Sequence, residues 1–391
     1  MKNKRKFDKY AKRRLGLLFI ICTLIVIIIC ICKKDETKYE DYRLIIGEKY
    51  TELQDDIYID NFDNIYLSKE DILKLYDSNI YYNQVENMLI TTYNKHIAIL
   101  KLDENIININ GSQIESKCSL IELNEKIYLP FSEMGIIYDF EYSYNKESKT
   151  IIVDSISEEK KETTIIKKSA KVKEEPKLLS SKIEKLNKDE KVTVLEELEN
   201  YYKIRTSKGN VGNINKRKVG EVQIIRDKMG NSKIKELNFI EYNDITKDYS
   251  DIQIDKSVIN AVILDLFNIK NSNIEEKIDL KSNKFTDYIN WANENDILVL
   301  AKITCEDEII DDFLSYEKRK SIIEQIYTKL ISNGIKGVDV EFEKINDVNS
   351  YYRFIIELAP KLRESGIKTI VKYNSLLKKE KLNTIVDYII E

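Results

Sequence analysis

Proline and glycine are scarce, with three and eleven in 391 residues. That excludes extended low-complexity linkers, and no glycine-rich phosphate-binding loop is present. Histidine occurs once, as His96 between Lys95 and Ile97. Its surroundings mark neither a zinc site nor a Ser-His-Asp set. Cysteine is limited to five positions. Cys22, Cys30 and Cys32 fall in one apolar run, while Cys118 and Cys305 stand far apart in the rest, so no disulfide framework or metal-ligand cluster is read. No cofactor and no metal are expected.

Only one long apolar run exists, residues 15–32, eighteen uncharged positions rich in Ile, Leu, Val and Phe. Eight basic residues and one acid precede it. This pattern predicts a membrane-spanning helix near the lower length limit, with residues 1–14 as a cytoplasmic basic segment and the bulk of the chain extracytoplasmic. A cleaved signal peptide is the competing reading, but no small-residue cleavage site follows the run. Ile29 before Cys30 argues against a lipoprotein. Residues 1–34 carry a net charge of +9 and the rest −13, against −4 for the whole chain. An acidic outer part makes nucleic acid an unfavourable partner.

The most informative stretch is Gly337-Val338-Asp339-Val340-Glu341-Phe342-Glu343. Successive side chains of a strand point to opposite faces, so Asp339, Glu341 and Glu343 share one face and Val338, Val340 and Phe342 the other. Three carboxylates side by side are either a solvated strand face or a place held for proton chemistry. Helical spacing over 316–333, ended at Gly334, and over 348–364, ended at Ser365-Gly366, brackets this strand. The apolar run Thr369-Ile370-Val371 follows. Strands alternating with helices of this length predict parallel βαβ units, with the valines and Phe342 toward the helices and the acids inward.

This stretch resembles glycoside hydrolase family 18, whose fourth barrel strand carries Asp-x-x-Asp-x-Asp-x-Glu. A branch acting on peptidoglycan, which includes spore-germination enzymes, has forms such as Gly-Ile-Asn-Ile-Asp-Phe-Glu. The resemblance extends over residues 235–391. Leu237-Asn238-Phe239 is similar to the first strand, 258–267 to the second, 288–293 to the helix before the third strand, and 297–303 to that strand. Residues 314–323, with Arg319, and 354–362 follow the family pattern, and 385–390 resemble the sixth strand. The fold so implied is a TIM-type (β/α) barrel that ends within strand six, without the Met-x-Tyr-Asp segment or strands seven and eight.

The resemblance implies substrate-assisted hydrolysis of β-1,4 bonds next to N-acetylglucosamine, in peptidoglycan or a chitin-like glycan. Glu343 takes the proton-donor position. Glu341 stands where the family has an aspartate that orients the 2-acetamido group, and Asp339 supports the pair from below. Lys336 replaces the first aspartate of the motif. The second strand reads Ile263-Leu264-Asp265-Leu266-Phe267 in place of a Ser-Pro-Thr-Trp-Phe type segment. Lys372-Tyr373-Asn374 occupies the region of the fifth-strand site residue. A non-catalytic protein binding glycan or a partner on the same fold is the alternative, and a wall or sporulation scaffold a third.

Residues 42–154 contain a repeat with an offset of 62. Ile65-Tyr66-Leu67 recurs as Ile127-Tyr128-Leu129, Tyr82-Asn83 as Tyr144-Asn145, and Leu89-Ile90 aligns with Ile151-Ile152. Each copy reads as a strand, a short helix, a tyrosine-bearing strand and a β-branched strand. The pair resembles the stalk repeats named after the N-terminal domain of copper amine oxidases, and no copper ligands accompany it. Its tyrosines (58, 66, 81, 82, 128, 138, 142 and 144) read as packing groups with a polar tip. Residues 155–168 read as a charged linker. Short strands with a Gly turn over 169–226, ending in Gly212-Asn213-Ile214, resemble a bacterial SH3-like β-barrel, either a spacer or a wall-binding module. The expected whole is thus multidomain: membrane helix, α+β stalk repeats, SH3-like barrel and hydrolase-like barrel, with membrane and cell-wall glycan as partners.

Overall fold

Apolar strands alternate with amphipathic helices over the last third of the chain. The computed structural model describes residues 42–227, 236–241, 258–305, 313 and 315–391. Six strands, β1 (Phe239–Glu241), β2 (Ala261–Lys270), β3 (Leu298–Cys305), β4 (Gly337–Phe342), β5 (Lys368–Lys372) and β6 (Tyr388–Ile390), lie side by side in chain order and all parallel. A short strand, Asn273–Glu276, folds back antiparallel on β2. Helices α1 (Asn283–Glu294), α2 (Tyr316–Ser332), α3 (Val348–Glu364) and α4 (Lys379–Ile385) fill the crossovers. Ser282 caps α1 by accepting from the Phe285 amide, and the Asp347 carboxylate caps α3. One orphan amide at the start of each of these two helices is thereby satisfied.

The two faces of this sheet are covered differently. Val338, Val340 and Phe342 pack with Phe354, Ile355 and Leu358 of α3 in the largest apolar cluster. On the other face Leu237, Ala261, Ile263, Leu300, Ile370 and Ile390 form a smaller cluster of their own. A register in which Leu300 opposes Gly337 and Lys302 opposes Asp339 puts the acids on that second face.

Residues 42–154 build three small sheets. Strands Ile65–Ser68 and Lys126–Pro130, the first strands of the two repeat copies, pair antiparallel with each other. Tyr82 opposes Leu89 in one hairpin and Tyr144 opposes Ile151 in the other, so the offset of 62 holds in the strand register. A five-stranded meander from Tyr81 to Glu115 lies against α3. Residues 160–226 form a seven-stranded sheet. Within the segment read as a linker, strand Lys160–Thr164 pairs with Lys191–Glu197. Its adjacent Lys160 and Lys161 are half-buried while Thr163 is buried.

The expected fold class needs correction. Residues 42–391 form one compact unit built mostly of strands. Among the described residues the parallel strands do not make a closed (β/α) barrel: there β1 pairs only with β2, and β6 only with β5. Closure requires eight strands in matched tilt and shear, and six ending in two three-residue edges do not meet it. The expected membrane helix at 15–32 and the segment 1–14 lie outside the described residues, as do Lys235 and Leu314. No helix among the described residues is long and apolar enough to cross a membrane. The strand expected over 385–390 begins only at Tyr388, because Ile385 closes α4.

Candidate active site

The C-terminal ends of parallel strands are where α/β folds place ligand groups, because the loops leaving them are free to vary. The three sequence-derived site residues lie on β4 or just past its C-terminal end. Asp339 is 1% exposed, in the middle of the strand. Glu341 is half-buried, and Glu343 lies exposed in the bend just beyond Phe342. Strand periodicity thus puts Asp339 and Glu341 on one face at two depths, with Glu343 just beyond the strand.

Glu341 is the best-tethered of them. Lys372 Nζ, from β5, donates to Glu341 Oε1 at 2.6 Å. Lys302 Nζ, from β3, lies 2.7 Å from Oε2. Glu341 therefore bridges three adjacent strands. Burial works to raise its proton affinity, but the two ammonium groups outweigh that and hold the carboxyl below its ordinary range. Lys302 reaches a second carboxylate, Glu241 on β1, at 3.7 Å. On β2, between them, Asp265 is clasped by Lys277 at 2.8 and 3.0 Å. The result is a band of acids and lysines across β1 to β5.

Asp339 has the opposite fate. Burial and then the negative charge of Glu341 push its carboxyl up to about 7, against a partial offset by Lys302 and Lys372. Its Oδ1 has no hydrogen-bond partner among the described residues. A buried carboxyl without a donor is far better accommodated with its proton on. On the same face an apolar cluster that includes Leu300, Ile263 and Ile370 lies toward the start of the strands. Gly337 completes the strand: a Cβ there would collide with Leu300 Cδ2. The close approach of β3 and β4 needs glycine at this point.

Lys302 was not among the sequence-derived candidates, and Lys372 appeared only as a departure from a family pattern. A signal was available. Lys302 is the one charged residue inside the run Leu-Val-Leu-Ala-Lys-Ile-Thr-Cys of β3, and a charge in such a place requires a partner; Lys372, at the end of Lys-Thr-Ile-Val-Lys in β5, gives no such signal.

No family model matches the sequence, and no curated protein does. Solved structures do resemble part of it. A chitinase from Chromobacterium violaceum is 18% identical, with 39% of this chain and 54% of that one covered at a TM-score of 0.34. The spore cortex-lytic enzyme SleL of Bacillus cereus is 15% identical, with 44% of this chain and 43% of that one covered at a TM-score of 0.32. A chitinase from Bacteroides thetaiotaomicron is 14% identical, covering 39% and 53%, at 0.33. The chain spans about half the length of the structures it matches.

Proposed function

We propose that residues 236–391 are a glycosidase-like module acting on a glycan that contains N-acetylglucosamine, peptidoglycan or a chitin-like polymer, with Glu343 as proton donor. One observation carries the reading. Three carboxylates run from the exposed tip of β4 into the sheet, in surroundings that drive the proton affinities of Asp339 and Glu341 apart. Separating such groups by environment is how one site divides acid and base roles at a single pH.

In the substrate-assisted scheme, Glu343 gives its proton to the glycosidic oxygen as the bond to the anomeric carbon breaks. The 2-acetamido oxygen of the sugar supplies the electron pair to that carbon. Water then opens the cyclic intermediate, and the Glu343 carboxylate takes up its proton. Glu341 occupies the place that orients the acetamido group, with Asp339 below it.

A second reading is favoured by one specific contact set. Glu341 Oε1 accepts from Lys372 and Oε2 is ion-paired with Lys302, so an acetamido N–H would have to compete with two ammonium groups. On that reading the module binds glycan without cleaving it. The two separate cleanly in one experiment. The full chain and its Glu343→Gln variant are incubated with purified peptidoglycan and with N-acetylglucosamine oligomers, and the products are weighed by mass spectrometry. New reducing ends that vanish in the variant support hydrolysis. A folded protein that retains the glycan and yields none supports binding alone.

A further inference from the structure

We infer that Lys302 and Lys372 are positioning residues: by bridging Glu341 from the two flanking strands they fix it as the ionised member of the carboxylate pair and leave the proton on Asp339. The inference rests on the proton-handling role proposed above for the β4 carboxylates, and the two lysines it concerns are not among those acids.

The geometry makes the assignment directional. Lys302 and Lys372 come from β3 and β5, on either side of β4, and each takes a different oxygen of Glu341 at 2.7 and 2.6 Å. A carboxylate accepting one charged contact on each oxygen is pinned in rotation as well as in charge. Asp339, two residues earlier on the same strand, faces the same side, opposite Lys302 in the register, yet no lysine hydrogen bond to it accompanies this. The charged or titratable groups around it are Glu341 on its own strand, Lys302 on β3, Lys372 on β5, Glu241 on β1 and Tyr351 on α3. Two cations are therefore spent on Glu341, and the remaining acid must sit buried beside a fixed negative charge. Lys302 is itself held by Glu341 and Glu241 together, so it is not free to turn toward Asp339.

Two consequences carry opposite signs. Removing Glu341's charge takes away the repulsion and leaves two nearby cations, so the Asp339 carboxyl should become more acidic. Removing one lysine takes away a favourable charge while Glu341 stays ionised at neutral pH, so Asp339 should become less acidic. A neighbouring charge moves a carboxyl by about one to three pH units. A merely structural bridge would not produce shifts of opposite direction.

The test is a carboxyl-carbon NMR titration of the full chain labelled at Asp and Glu side chains, with Asp339→Asn and Glu341→Gln used to assign the two signals. Expected are an Asp339 midpoint near neutrality, a downward move of at least about one unit in Glu341→Gln, and an upward move in Lys372→Met. Lys302→Met provides a second variant with the same expected direction, should the first perturb folding. An Asp339 midpoint unmoved by Glu341→Gln, or a Glu341 signal that titrates near neutrality in the wild type, overturns the inference. Product analysis on the same samples keeps the two proposals apart. Opposed shifts without glycan cleavage sustain the bridge and sink the hydrolase reading; Glu343-dependent cleavage with no shifts does the reverse.

Discussion

Arg319 on α2 and Glu357 on α3 form a two-pronged ion pair with both side chains 1% exposed. Nη2 donates to Oε1 at 2.7 Å and Nε to Oε2 at 3.0 Å, while Nη1 donates to the Phe313 carbonyl at 2.7 Å. Taking either charge out of water is costly, and the fully satisfied geometry is what offsets the cost. Glu357→Gln should therefore destabilise the protein by about 3–5 kcal/mol, because it leaves a buried guanidinium without its counter-charge. Urea unfolding measures this directly. A loss under 1 kcal/mol would mean the pair is solvated in solution.

Tyr81 ties this pair to the N-terminal sheets. Its hydroxyl donates to Glu357 Oε1 and accepts from Arg319 Nη2 at 3.0 Å, and Arg353 lies over its ring at 4.9 Å. Met88, Ile90 and Ile99 of the meander pack with Tyr316 of α2 beside it. Tyr81→Phe keeps the packing and removes the hydroxyl, so a loss of about 1.5–3 kcal/mol is expected, the range for hydrogen bonds to charged groups. In a double-mutant cycle with Glu357→Gln the two effects should fall short of additivity. Strict additivity would show that the hydroxyl does not contribute through Glu357.

Much of this was legible in the chain because it is local. Helical spacing over 348–364 matches α3 to the residue, and the 62-residue offset reappears as Tyr82 opposite Leu89 and Tyr144 opposite Ile151. Alternation placed Asp339 and Glu341 on one face of β4, while Glu343 lies in the bend beyond the strand. The Lys302–Glu341–Lys372 bridge was not legible, since it depends on the register between strands about 30 to 40 residues apart, and no single strand carries that. Edge pairing is non-local in the same way. Among the described residues, six strands with barrel-like patterning leave β1 and β6 without a second neighbour, which their own residues do not announce. The apolar run at 15–32 has a clear pattern but lies outside the described residues.

Gly337 gives a sharper structural test than any of the acids. A Cβ would overlap Leu300 Cδ2, and Leu300 is fully buried between β2 and β4 with Ile263 and Ile370 beside it. Gly337→Ala should cost about 1–3 kcal/mol through overpacking. Adding Leu300→Ala should recover part of that loss relative to Leu300→Ala alone, since the new methyl then has room. If Gly337→Ala is neutral by thermal melting, β3 and β4 are further apart than described.

Asp339 makes a prediction about pH. Its carboxyl titrates at about 7 in the folded protein, whereas an unfolded aspartate titrates at about 3.9. Between those values the native state binds more protons than the unfolded one, so stability falls as pH rises. The contribution is intact below about pH 4, declines through the window and is lost above about pH 7. Each unit of difference is worth about 1.4 kcal/mol, which puts the change on the order of 2–4 kcal/mol. Asp339→Asn keeps the shape and removes the ionisation. Its melting temperature should match that of the wild type near pH 4 and exceed it at pH 8. Parallel profiles across that range would mean that Asp339 stays ionised in the folded sheet, and the buried site would then have to hold both carboxylates charged with only Lys302 and Lys372 to balance them.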